Sequence, residues 1–127
     1  MIDRAIAFYA SEESKETFSV MIFGGSVAAI FAGVGQGVRE ELKQDLKALP
    51  ELQGKPVKVM CFAVAGYRQP QQLEFLAYLL VRGCRPTVVV NLDGLNEVRK
   101  PTTNVKRDVL PHVAIDRTLG TARDTQF

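Results

Sequence analysis

The sequence predicts an α/β domain built on a parallel sheet. Three apolar runs, at residues 18–23, 57–64 and 87–92, carry the β-branched and aromatic side chains of buried strands. The stretches between them place leucines at helical spacing, and Pro and Gly punctuate the junctions. The resulting order β-α-β-α-β implies parallel strands joined by right-handed crossovers. All three strand ends then fall on one edge of the sheet, the edge where open α/β sheets bind ligands.

Residues 1–17 give no firm element. The polar, charged stretch 11–17 reads as a surface helix or a lead-in loop. Residues 18–23 (Phe-Ser-Val-Met-Ile-Phe) form a mostly buried strand that Gly24 and Gly25 end. Small residues follow over 27–37. A helical turn can begin there, but Gly33, Gly35 and Gly37 oppose a stable helix throughout. A clearer helix spans 38–49. Val38, Leu42, Leu46 and Leu49 form its apolar stripe, charged residues fill the other side, and Pro50 closes it.

Pro56 introduces the second strand, 57–64, in which only Lys58 interrupts the apolar run. That pattern suits a strand covered on both faces. Ala65, Gly66 and Tyr67 end it. Pro70 suits the first turn of a helix over 71–82. Leu73, Leu76, Leu79 and Leu80 are its expected buried side, and Gly83 stands just beyond its end. Pro86 opens the third strand, which ends at Asp93 and Gly94. Residues 99–127 hold two prolines, many charges and no sustained periodicity, and read as an irregular tail. There is no internal repeat.

Length and composition bound the function. The chain of 127 residues makes one small domain, and 46% apolar with 24% charged residues is the balance of a soluble globular protein. The net charge of +2 is small, and basic residues cluster only over 99–107, so no stripe tracks nucleic-acid phosphates. Cys61 and Cys84 lie in or beside apolar runs and are expected buried and reduced. Two thiols and one histidine make no metal signature. No apolar stretch approaches the roughly 20 residues of a membrane helix. No signal-peptide pattern is visible at the N-terminus.

Three residues at the strand ends carry possible chemistry. Ser26 follows the first strand. A serine there can be a nucleophile if a base takes its proton, with nearby backbone N–H groups to hold an oxyanion. It can equally be a helix N-cap, the commoner use. Gly66 follows the second strand. It can lend its N–H to a ligand at close range, or serve as a turn residue with positive φ. Asn96 follows the third. Its amide can donate to an oxyanion, or it can form an Asx-turn. Glu97 beside it is a candidate base or an exposed side chain. The series Gly33-Val34-Gly35-Gln36-Gly37 does not make a dinucleotide fingerprint: Val38 stands where the last glycine is needed, and the series begins ten residues past the strand.

Taken together, these strand ends resemble the SGNH hydrolases, the GDSL esterase and lipase family. Phe23-Gly24-Gly25-Ser26 looks like the block that carries the nucleophilic serine, with Gly25 in place of the usual aspartate. Ala65-Gly66-Tyr67 matches the block of the oxyanion glycine. Gly94-Leu95-Asn96-Glu97 fits the G-x-N-[DE] loop whose asparagine completes the oxyanion hole. The resemblance covers about residues 18–98. It implies a three-layer α/β sandwich of flavodoxin-like, SGNH type, present in part, since three strands are counted where such domains have about five. It implies ester hydrolysis on a small-molecule or carbohydrate ester, with no cofactor. Ser26 would attack, while the Ser26 and Gly66 N–H groups and the Asn96 amide hold the oxyanion.

The family's D-x-x-H block, which gives the base and its orienting acid, is not matched. His112 has Val109 at the required spacing, while Asp108 precedes it by four residues and Asp116 follows by four. The expectation is a base outside this chain and little activity from these residues alone. Two other classes remain in view: a non-catalytic relative that binds an acylated sugar, and a flavodoxin-like nucleotide module. The first strand end lacks the phosphate-binding glycine pattern of the latter.

Overall fold

The structure, a computed structural model, describes residues 1–32, 37–52 and 54–92. In chain order these form helices α1 (Ile2–Tyr9) and α2 (Glu13–Glu16), strand β1 (Phe18–Gly24), helices α3 (Ser26–Ala32) and α4 (Gly37–Ala48), a 3-10 turn (Pro50–Leu52), strand β2 (Val57–Cys61), helix α5 (Gln71–Val81) and strand β3 (Val88–Leu92). Among the described residues the sheet is three-stranded and parallel, with order β2-β1-β3. The α/β class and the parallel sheet are as the sequence predicts.

Alternation along β1 divides the core. Met21 and Phe23 point to one face, where Ala5 of α1, Leu79 of α5 and Phe62 join them. Val20 and Ile22 point to the other, against Ala32 of α3 and Leu42 and Leu46 of α4. Helices therefore cover both faces of the sheet. This is why β1 reads as an unbroken apolar run, and why it is buried from Ser19 to Gly24. Each large side chain so buried contributes about 1.5–3 kcal/mol.

Several local expectations need correction. Residues 2–9 form a helix where no firm element was expected. Ile2, Ala5, Ile6 and Tyr9 make a short apolar stripe on the core, and the Lys58 ammonium sits 3.8 Å from the centre of the Phe8 ring. Helix α3 runs through Ala32, well past one turn. Of the predicted stripe, Leu42 and Leu46 are half-buried, while Val38 and Leu49 are exposed. Strand β2 is half-buried rather than covered on both faces, because it lies at one side of the sheet. It ends at Cys61, yet the Phe62 and Val64 N–H groups still donate to the Ile22 and Gly24 carbonyls, at 2.7 and 3.1 Å. Strand β3 lies at the other side, with Val88 and Val89 exposed.

Helix α5 also departs from its expected stripe. Leu79 is fully buried and Leu76 packs on the core, but Leu73 and Leu80 are exposed. Gln72 takes Leu73's place on the inner face, since 72, 76 and 79 fall at helical spacing. Pro70 is the residue just before the helix rather than in its first turn. Its carbonyl accepts the Glu74 N–H at 2.9 Å, and the Gln69–Pro70 peptide is cis.

The end of α5 is closed by a Schellman motif. The Cys84 N–H donates to Leu79 O at 3.0 Å and the Gly83 N–H to Leu80 O at 3.1 Å, with Gly83 at φ +92°. A Cβ on Gly83 would meet nothing, so Gly83→Ala should cost only the left-handed backbone penalty, about 1–2 kcal/mol. Urea denaturation measures it.

Cys61 and Cys84 are free and buried. Burial pushes the Cys84 thiol above its ordinary range, partly offset by the Arg85 charge. A folded pKa raised in this way favours the protonated form. Its contribution is fully present below the unfolded thiol value, about 8.5, and is lost as pH rises through and beyond it. The urea midpoint should therefore fall above that pH, and fall less steeply in Cys84→Ala.

Candidate functional site

The carboxyl ends of β1 and β3 share one rung, and the chain just beyond β2 bonds alongside it. Leu92 of β3 pairs with Gly24 of β1, and the Val64 N–H beyond β2 donates to the Gly24 carbonyl at 3.1 Å. Gly24 is the hinge of this edge. Its φ is +148°, and a Cβ there would lie 2.5 Å from both the Ala28 Cβ and the Leu92 carbonyl oxygen. Only glycine lets β1, β3 and α3 approach so closely.

Ser26 stands two residues past Gly24, as the first residue of α3. The Gly25 carbonyl accepts the Ala29 N–H at 3.0 Å, so Gly25 occupies the cap position and Ser26 lies inside the first turn. The common use of such a serine as an N-cap therefore does not apply. Ser26 is half-buried at the sheet edge, and its hydroxyl bonds no described residue.

Gly66 follows β2 in a β-turn that the Tyr67 N–H closes on Val64 O at 3.0 Å. Its φ of +86° at the third position is what a type II turn requires. The turn role expected of this glycine is thus present, and it sets Gly66 two residues past Val64. Asn96 lies outside the described residues, as do Gly94, Glu97, His112 and the tail 99–127. Gly33 and Gly35 of the glycine series lie outside them too.

A cavity of about 340 Å³ opens beside this edge. Phe23, Leu73, Leu76 and Val89 give it apolar walls, and the amides of Gln69, Gln72 and Asn91 add polar groups. Inspection of the sequence missed Gln72 and its neighbour Arg68. The available signal was polar residues at 68, 69, 71 and 72 immediately before an apolar helix, one of them in line with Leu76 and Leu79.

No family model, curated protein or solved structure matches this chain. Among the described residues, no cluster of three or more His, Cys, Asp or Glu could hold a metal ion, and no helix is long and apolar enough to cross a membrane.

Proposed function

We propose that the chain is a serine ester hydrolase of SGNH type, acting on an acyl or acetyl ester of a small molecule or carbohydrate. One observation carries this. Parallel pairing sets Leu92 beside Gly24, the Val64 N–H donates to the Gly24 carbonyl, and the three residues named by the motifs follow Leu92, Gly24 and Val64 in the sequence by four, two and two positions. The order β2-β1-β3 is also how a flavodoxin-like sheet of order 2-1-3-4-5 begins.

In this mechanism the Ser26 hydroxyl attacks the ester carbonyl once a base removes its proton. The Ser26 and Gly66 N–H groups and the Asn96 amide stabilise the oxyanion. Collapse expels the alcohol and leaves an acyl-serine, which water then hydrolyses. Base removal typically costs several orders of magnitude, and His112 lacks the D-x-x-H spacing, so these 127 residues should turn over poorly.

The test is p-nitrophenyl acetate with and without added imidazole, a soluble stand-in for the base. Mass spectrometry should find an acetyl adduct on Ser26 that imidazole promotes and Ser26→Ala abolishes. No adduct on Ser26 under either condition overturns the assignment. Robust Ser26-dependent turnover without imidazole would assign the base to His112. The unmatched D-x-x-H block favours a second reading, a non-catalytic ligand-binding relative using the same edge, and that is what a negative result would support.

A further inference from the structure

Strand β2 leaves one edge of the sheet open. In a parallel ladder, alternate residues of a strand bond to the same neighbour. The Phe18 N–H donates to the Pro56 carbonyl at 2.8 Å and the Phe62 N–H to the Ile22 carbonyl at 2.7 Å, so the even-numbered residues of β2 face β1. The N–H and C=O groups of Val59 and Cys61 therefore point away from β1, and no described residue bonds them. Such an edge is a ready template for another extended chain.

A cavity of about 630 Å³ lies along this strand. Residues 58–62 of β2 and its end line it, together with Arg4 of α1 and Arg39 and Glu40 of α4. The two helices cover opposite faces of the sheet: α1 shares a core cluster with Met60, and α4 shares the other with Val59. The cavity thus receives one arginine from each face. Lys58 adds a third cation on the α1 face, its ammonium 3.8 Å from the centre of the Phe8 ring. That contact leaves its charge uncancelled. Glu40 is the single carboxylate among the described residues of the cavity, and its Oε2 lies 3.5 Å from Lys43 Nζ. Among the described residues, Arg4 and Arg39 form no ion pair.

We propose that β2 pairs through this edge with an extended acidic peptide of a partner protein. Lys58 to Phe62 span about 13 Å at ~3.3 Å per residue, room for a segment of about five residues. Main-chain bonds to Val59 and Cys61 supply affinity, and side chains supply selectivity. Successive side chains of the added strand point to opposite faces. Two adjacent acidic residues therefore reach Arg39 on one face and Arg4 with Lys58 on the other. The same charges disfavour two other occupants. A second copy pairing β2 on β2 would set like charges against one another. The chain's own residues 99–127 carry more Lys and Arg than Asp and Glu. This surface does not involve Ser26 and holds whether or not the chain is an esterase.

The probe is the blocked peptide acetyl-Val-Thr-Glu-Glu-Thr-Val-amide. A Gln-Gln version is its neutral analogue, and glutarate is an acid without a backbone to pair. Calorimetry on the full chain at low salt should show the Glu-Glu peptide binding at least about fivefold more tightly than the Gln-Gln peptide or glutarate. Arg4 and Arg39 are not buried, so Arg4→Gln and Arg39→Gln should fold normally, which thermal melting checks. Each should weaken the Glu-Glu peptide about two- to fivefold, the range for exposed charge pairs, and leave the Gln-Gln peptide unchanged. Amide hydrogen exchange reads the pairing. The peptide should slow exchange at Val59 and Cys61, while Met60 and Phe62, whose N–H groups already face β1, change little. Equal binding of the two peptides, glutarate binding as tightly as the Glu-Glu peptide, binding without protection of Val59 and Cys61, or no peptide binding overturns the proposal. Protection of those amides by raised protein concentration alone would assign the edge to a second copy, and overturns it too.

Discussion

Gly24→Ala is expected to destabilise the domain by about 2–6 kcal/mol, a large part of the roughly 5–15 kcal/mol that holds a typical domain together. Two costs combine. The residue sits at φ +148°, which an L side chain rarely adopts, and such strain costs about 1–3 kcal/mol. The new methyl would also lie 2.5 Å from the Ala28 Cβ and from the Leu92 carbonyl oxygen. Neither obstacle is the free end of a flexible side chain. One belongs to helix α3 and the other to the backbone of β3, so relief requires moving an element, and overpacking of this kind adds about 1–3 kcal/mol.

Urea denaturation of a glycine series separates these causes. Gly83→Ala carries positive φ without crowding, and Gly37→Ala in α4 carries neither. The expected order of loss is Gly24, then Gly83, then Gly37. A Gly24→Ala curve that overlays that of Gly83→Ala would show that the crowding is relieved at little cost. The same substitution would shift Ser26, so the Ser26 acylation proposed above should be lost together with stability.

The second large effect belongs to Phe23. Its ring stacks on Phe62 with centroids 5.5 Å apart and meets Phe75 edge-on at 5.9 Å, while Phe62 meets Phe75 edge-on at 5.7 Å. The three rings close a triangle between β1, the end of β2 and α5. Phe23 is 2% exposed, so Phe23→Ala should cost about 3–5 kcal/mol from lost transfer energy and the cavity left behind. Because each ring touches the other two, the losses should not add. Phe62→Ala should cost about 0.5–1.5 kcal/mol less in a Phe23→Ala background than in the wild type. Additive losses in a denaturation cycle would show that the rings pack independently.

Much of the fold was legible because its signals are local. Runs such as Val-Met-Ile-Phe fix strands by composition, and Pro50, Pro56, Gly83 and Pro86 mark the breaks. The positions of strands within the sheet were not legible. Val88 and Val89 have the composition of a buried strand, yet β3 pairs only with β1 among the described residues, and its position decides their exposure. Helix α1 was hidden because Asp3 and Arg4 interrupt a stripe whose value appears only when the sheet lies beneath it. At the site, Phe-Gly-Gly-Ser pointed to a sharp turn after β1, which Gly24 provides. Gln72 was invisible because glutamine in a first helical turn is normally solvated. Its burial depends on how α5 rolls against Phe23.

The central place of β1 also shapes how the chain must fold. Its partners arrive from opposite ends of the sequence that follows: Phe18 pairs with Val57, whereas Val20 pairs with Val88. The second pairing is clasped at its base, where the Ser19 N–H donates to Thr87 Oγ1 at 3.1 Å and the Thr87 N–H to the Ser19 carbonyl at 3.0 Å, across 68 residues. Of the three described strands, the first to be made is therefore the last to be fully paired. Until β3 emerges, one side of β1 stays open to any other extended segment, and closing so long a loop is slow. Folding speed should then be governed by the Ser19–Thr87 clasp rather than by the helices, which form early from neighbouring residues.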